Sequence, residues 1–177
     1  MPPLDTIERM TQEILLKLPQ QAPIDIVAAA TSLEIPVNKL VMPNAVVRIR
    51  EQTTDTGVEV RKVLHIEYDM LNTNSMRQRF AIAHAMGHIL LGHGLPENGV
   101  REETAQNFHT AVSNPEETAA NNVAGSLLVP KMALIYFMDE KRVTSVKNLA
   151  AIFGVSTTLV THRLEQLGIV KMRDLER

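Results

Sequence analysis

Apolar residues recur at helical spacing from the start of the chain. Ile7, Ile14, Leu15 and Leu18 form one stripe on a predicted helix from Leu4 to Leu18. The segment Pro19 to Pro23 interrupts it, and Pro23 is placed to open a second helix over Ile24 to Leu33, because proline suits a first helical turn. Ile35-Pro36-Val37 leaves that helix in extended form. The pattern then becomes strand-like. Val46 to Arg50 and Val58 to Tyr68 are rich in β-branched residues, and the polar stretch Gln52 to Gly57 between them predicts a hairpin. Lys62-Val63 breaks the alternation of the second strand, which suggests a bulge. Asn72 to Ser75 supplies a cap for a long helix from Met76 to Leu91, ended by Gly92 and Gly94. Leu95 to Asn114 is polar and has no clear period. It is long for a structureless connection, so it is expected to hold a short element or to flank a cleft. Helices follow from Pro115 to Leu128, from Pro130 to Glu140, from Val146 to Phe153 and from Ser156 to Leu167.

Composition narrows the class. The 177 residues are 45% apolar, which suits one compact domain with a small appendage. No apolar run approaches the roughly 18 residues that a membrane span needs, and Met1 to Glu13 lacks the plan of a secretory signal. Cysteine is absent, which excludes disulfides, thiolate nucleophiles and Cys-ligated metals and fits a cytoplasmic protein. The net charge of −2 offers no general attraction to nucleic acid or acidic membranes. With no Trp and 3% aromatics, stacking platforms for single strands are not expected.

The candidate chemistry lies in the long helix. His84 and His88 are four residues apart, so both imidazoles face one way, a turn apart, as a two-nitrogen grip on one metal requires. Their surroundings are apolar (Phe80, Ile82, Ala83, Met86, Ile89), so they do not belong to a solvated face. A pair at this spacing fits two hydrogen-bonded core histidines equally well. A third donor would tip the balance. Glu117 lies in the first turn of the Pro115 helix, and Asn121 lies one turn on, where it would brace a ligating histidine through its second ring nitrogen. The alternative is that Glu116 and Glu117 only complement the helix dipole.

The blocks Arg77 to His84, Gly87 to His93 and Glu117 to Pro130, with the tail Leu149 to Gly168, resemble in order the ImmA/IrrE-type metallopeptidases; the resemblance covers roughly residues 7 to 170. It implies an α+β, minimal zincin-like fold, with a small sheet packed on helices over residues 1–130 and a helical C-terminal part over 131–177. It also implies Zn2+ held by His84, His88 and Glu117, with Mn2+ as a possible activator. The implied partner is a transcriptional repressor or an antitoxin-like protein with a helix-turn-helix. Nothing in the sequence speaks to oligomeric state.

One position departs from the family's HExxH pattern. The residue after the first histidine should be a glutamate, which takes a proton from the attacking water and passes it to the leaving amine. Here it is Ala85, whose methyl group can do neither. Two origins fit: replacement of a native glutamate to silence an otherwise complete enzyme, or a natural chain that keeps the metal for structure or binding. Alanine is the best helix former, so metal binding should survive.

Other residues carry weaker expectations. His109 is a candidate oxyanion donor, with an exposed loop histidine as the alternative, and Tyr68 and Tyr136 are further candidates. His93 reads as a helix-terminal histidine near the negative end of the dipole, off the ligand face. Arg77 and Arg79 read as surface charges, and His65 and His162 as structural. Zincins hold peptide substrates along a sheet edge, so one strand of the hairpin is the expected edge, with Arg48, Arg50, Arg61 and Lys62 as its ordinary protection. The tail from Val146 also resembles a helix-turn-helix. Its second helix has no basic cluster for phosphates, so direct DNA binding is not favoured.

Overall fold

The computed structural model describes residues 2–19, 21–42, 46–55, 60–69, 71, 74–103 and 114–169, without the side chains of 54, 55, 60–62 and 103. The architecture is α+β. Among the described residues there are helices α1 (Leu4–Leu15), α2 (Ile26–Thr31), α3 (Ser75–Leu90), α4 (Pro115–Leu128), α5 (Lys131–Asp139), α6 (Val146–Phe153) and α7 (Thr157–Gln166). The strands are β1 (Val37–Leu40), β2 (Val47–Asp55), β3 (Val60–Asp69) and β4 (Val100–Glu103). None of the helices among these residues is long and apolar enough to cross a membrane.

The strands form one mixed sheet in the order β1-β3-β2-β4, with β1 parallel to β3 and the other pairs antiparallel. The expected hairpin is therefore internal, and the edges are β1 and β4. This corrects the expectation that a hairpin strand forms the edge. The extended Ile35-Pro36-Val37 leads into β1, and the long polar connection contributes β4 from Val-Arg-Glu-Glu, a segment without the β-branched richness that marks a strand. No bulge occurs at Lys62-Val63: pairing runs without a slip from Val47↔Tyr68 to Asp55↔Val60. The second helix is shorter than its apolar run, because the Asp25 side chain accepts from the backbone N–H of Val27 and Ala28 and sets the start there instead of at Pro23.

Alternation sorts the two faces of the sheet. Val47, Ile49, Ile66 and Tyr68 are buried toward the helices. On the other face Arg48 pairs with Glu67 at 3.2 Å and with Glu102 at 2.5 Å, and Arg50 lies 3.5 Å from Glu67. Arg48 and Arg50 are thus paired across strands instead of guarding an edge.

Helix α3 starts at Asn74, whose side chain accepts from the Arg77 N–H, and it is buried from Ala81 to His88. It packs on α2, β2 and β3, and above all on α4. The α3–α4 approach is closest at Gly87, where an added Cβ would lie 2.7 Å from the Ala120 carbonyl oxygen. Only glycine permits that distance. It brings the first turns of α4 against the histidine-bearing turns of α3.

The tail is tied to the same helices by a buried ion pair. Arg163 of α7 is fully buried, 2.8 Å from Glu8 of α1, and donates through Nε to the Val129 carbonyl at 3.3 Å. Glu8 also accepts from the Ser126 hydroxyl at 2.6 Å. Arg79, expected at the surface, is half-buried and donates to the carbonyls of Ile24 at 2.7 Å and Phe153 at 3.3 Å, joining the N-terminal and C-terminal segments. Arg77 is exposed, as expected.

Candidate metal centre

Two helices meet at right-sized distances for an ion. His84 and His88 project from buried turns of α3, and Glu117 from the first turn of α4. The two Nε2 atoms are 3.0 Å apart. One carboxylate oxygen of Glu117 lies 3.2 Å from His84 Nε2, and the other lies 3.4 Å from His88 Nε2. For zinc bonded to nitrogen and oxygen at about 2.0–2.1 Å, tetrahedral edges are about 3.3 Å. The three donors therefore have the spacing that one face of such a tetrahedron would need.

The hydrogen bonding of the rings agrees with this. His84 Nδ1 is 2.8 Å from Asn121 Oδ1, so its N–H donates there and the Nε2 lone pair faces His88 and Glu117. The His84 Nε2 lone pair, His88 Nε2 and the Glu117 carboxylate meet at one point, a donor set that suits a divalent cation. Two imidazoles and a carboxylate without thiolate suit zinc. We expect Asn121→Ala to weaken zinc binding by about 10- to 100-fold. Chelator competition would show it; unchanged affinity would remove Asn121 as a brace.

His93 lies just past the end of the helix and reaches the Nδ1 side of His88, a contact the sequence did not announce. Gly92 takes a left-handed conformation with φ of 67°, the His93 N–H bonds to the His88 carbonyl, and the Gly92 N–H bonds to the Ile89 carbonyl. This reversal carries His93 back over the last turn, with its Nδ1 2.9 Å from His88 Nδ1. Spacing along a helix could not show the contact, because the helix has already ended; the glycine before His93 was the available signal.

Arg101 also went unnoticed. It stands on β4 opposite Ile49, on the helix side of the sheet. Its Nη1 is 2.9 Å from His88 Nδ1 and 3.3 Å from Glu117 Oε1. Its Nη2 donates to the Gly94 carbonyl at 3.1 Å and to Glu116 at 3.0 Å. Close contact with His84 and then His88 holds the Glu117 carboxyl far below the usual carboxylate range, against the opposing effect of burial. The Arg101 hydrogen bond lowers Glu116. Burial pushes both His88 and His93 down, which favours their neutral, lone-pair-bearing forms.

Ala85 lies between the two histidines, 1% exposed. His109 lies outside the described residues. Tyr68 is buried in β3 and Tyr136 is half-exposed on α5; neither joins the cluster. His65 lies 3.5 Å from Asn38, and His162 lies 3.0 Å from Gln166, both away from it.

Residues 30–165 match the family model of the IrrE N-terminal-like domain, Peptidase_M78. The chain belongs to that family, whose domain is of the metallopeptidase type. A search of curated proteins found no match. Among solved structures the chain is similar to a Mycobacterium tuberculosis transcriptional regulator, with a TM-score of 0.54 and 15% identity over 92% of this chain. That likeness is one of fold, and the chain spans 46% of the regulator's length.

Proposed function

We propose that this chain is a zinc-dependent peptidase scaffold directed at a transcriptional repressor or antitoxin-like protein, silenced by Ala85. The convergence of His84, His88 and Glu117 within 3.0–3.4 Å carries the reading, and the family supplies the reaction class. Zinc in such a site supplies Lewis acidity, activating a water and polarising the scissile carbonyl. The chain's own groups do the rest. His84 and His88 offer ring nitrogens, Asn121 fixes the tautomer of His84, and Glu117 stays ionised. Edge strand β4, beside the cluster, is the surface on which an extended peptide would add as a further strand. Position 85 should hold the base that moves a proton from the attacking water to the leaving amine, and Ala85 leaves that transfer without a carrier.

Ala85 itself favours a second reading, in which the domain captures its helix-turn-helix partner without cutting it. Direct DNA binding gains nothing from Arg163 of α7, which is fully buried against Glu8. The direct test is metal content. The stripped chain should take up close to one zinc, or manganese with lower affinity, and lose it when His84 and His88 are both changed to alanine. Uptake that survives the double change would sink the reading.

A further inference from the structure

The Arg101 guanidinium stands where it meets two of the three candidate ligands at once. An arginine nitrogen only donates. Nη1, 2.9 Å from His88 Nδ1, therefore makes that nitrogen an acceptor and places the ring's proton on Nε2, the atom that faces His84 and Glu117. A neutral imidazole that binds a cation through Nε2 must carry its proton on Nδ1 instead. In that form Nδ1 donates to His93 Nδ1, 2.9 Å away, and has nothing to accept from Arg101. Both arrangements are within reach without a change in the charge of His88; its proton moves between ring nitrogens by way of solvent. Arg101 also takes a share of Glu117 Oε1 at 3.3 Å, while Glu116 and the Gly94 carbonyl hold its other nitrogen.

We propose that Arg101 is a placeholder cation that competes with the metal for His88 and Glu117 and must release His88 when a metal binds, so that metal occupancy is felt by edge strand β4. The inference rests on the metal-site reading above and adds its regulation. Arg101 belongs to β4, one residue of a four-residue strand at the edge of the sheet. Its release therefore acts on the strand that is the candidate peptide-docking edge. A bound ion also leaves two positive charges within a few ångströms of each other, which lowers affinity further. The site would then load only where zinc is plentiful.

The test uses the full chain with zinc alone as the probe. Zinc affinity is measured by chelator competition for the native protein, Arg101→Met and Arg101→Lys, with folding checked by circular dichroism. Amide hydrogen exchange over residues 99–103 is followed with and without zinc. Arg101→Met is expected to bind zinc at least tenfold tighter than the native chain, and Arg101→Lys to fall between them. Zinc should change exchange at β4 in the native protein but not in Arg101→Met. Native or weaker affinity in Arg101→Met, or β4 exchange indifferent to zinc in the native chain, overturns the proposal while leaving the metal site standing. No zinc uptake by the native chain or either variant overturns the metal-site reading, and this inference with it. The exchange measurement on the native protein decides the matter even if a variant fails to fold.

Discussion

Ala85→Glu is expected, on the proposed function, to raise metal-dependent cleavage of a repressor substrate by on the order of 10²- to 10⁴-fold over the chain with alanine. The factor is that of a positioned general base, and the proposed site holds the other parts that would receive one: two imidazoles, an ionised carboxylate and a braced His84. The change should also carry a structural cost. Position 85 is 1% exposed, so a carboxylate introduced there has little water to solvate it. Without a cation nearby it is a buried charge in want of a partner. The metal-free Ala85→Glu protein should therefore melt below the metal-free Ala85 chain, and zinc should raise its melting temperature more. Single-turnover cleavage of candidate helix-turn-helix repressors, with and without metal, gives the first readout, and thermal melts give the second. If glutamate and zinc together leave every candidate repressor intact, the capture-only reading takes over.

How much of this was legible in the chain depended on whether a feature was local. The long helices were readable because their caps and apolar periods are contiguous: Asn74 before α3, Pro115 as the first residue of α4, and Ser145 and Ser156 before α6 and α7 all lie where the pattern puts a start. The sheet was half legible. The hairpin showed itself, but β1 and β4 are four residues each and owe their strand form to the partners they pair with. The edge was misplaced for that reason, since a strand's neighbours are a property of the whole sheet.

The candidate site followed the same division. His84 and His88 share a face by helical arithmetic, and Glu117 with Asn121 by the same arithmetic one helix on. What spacing could not supply was the approach of those two helices, which depends on Gly87 meeting Ala120 with no side chain between them. His93 and Arg101 were lost because a left-handed turn and an edge strand deliver them. Both touch His88, so the residues that would tune this candidate ligand are the ones that sequence periodicity hides.

Glu117→Ala should abolish nearly all the stabilisation that zinc gives the native protein. A ligand present at about 100 times its Kd adds about 2.7 kcal/mol, which for a domain of this size is a rise of roughly 5 to 11 °C in Tm. Glu117 is the one anionic donor of the three. Its loss leaves two neutral imidazoles facing a divalent ion, so affinity should fall by more than the roughly 10- to 100-fold that removal of an outer partner costs. The metal-free protein is the necessary control, because Glu117 also accepts from Arg101 and lies against both histidines. Glu117→Gln keeps the shape and an acceptor oxygen while removing the charge. If the carboxylate binds metal, both variants lose the zinc-dependent shift, and Glu117→Gln keeps the metal-free Tm closer to native. If its role were only to complement the dipole at the start of α4, both variants would keep the zinc shift and lose at most about 1 kcal/mol of metal-free stability. The size of the zinc-dependent shift therefore separates a ligand from a helix-end charge, which is the choice the sequence had left open.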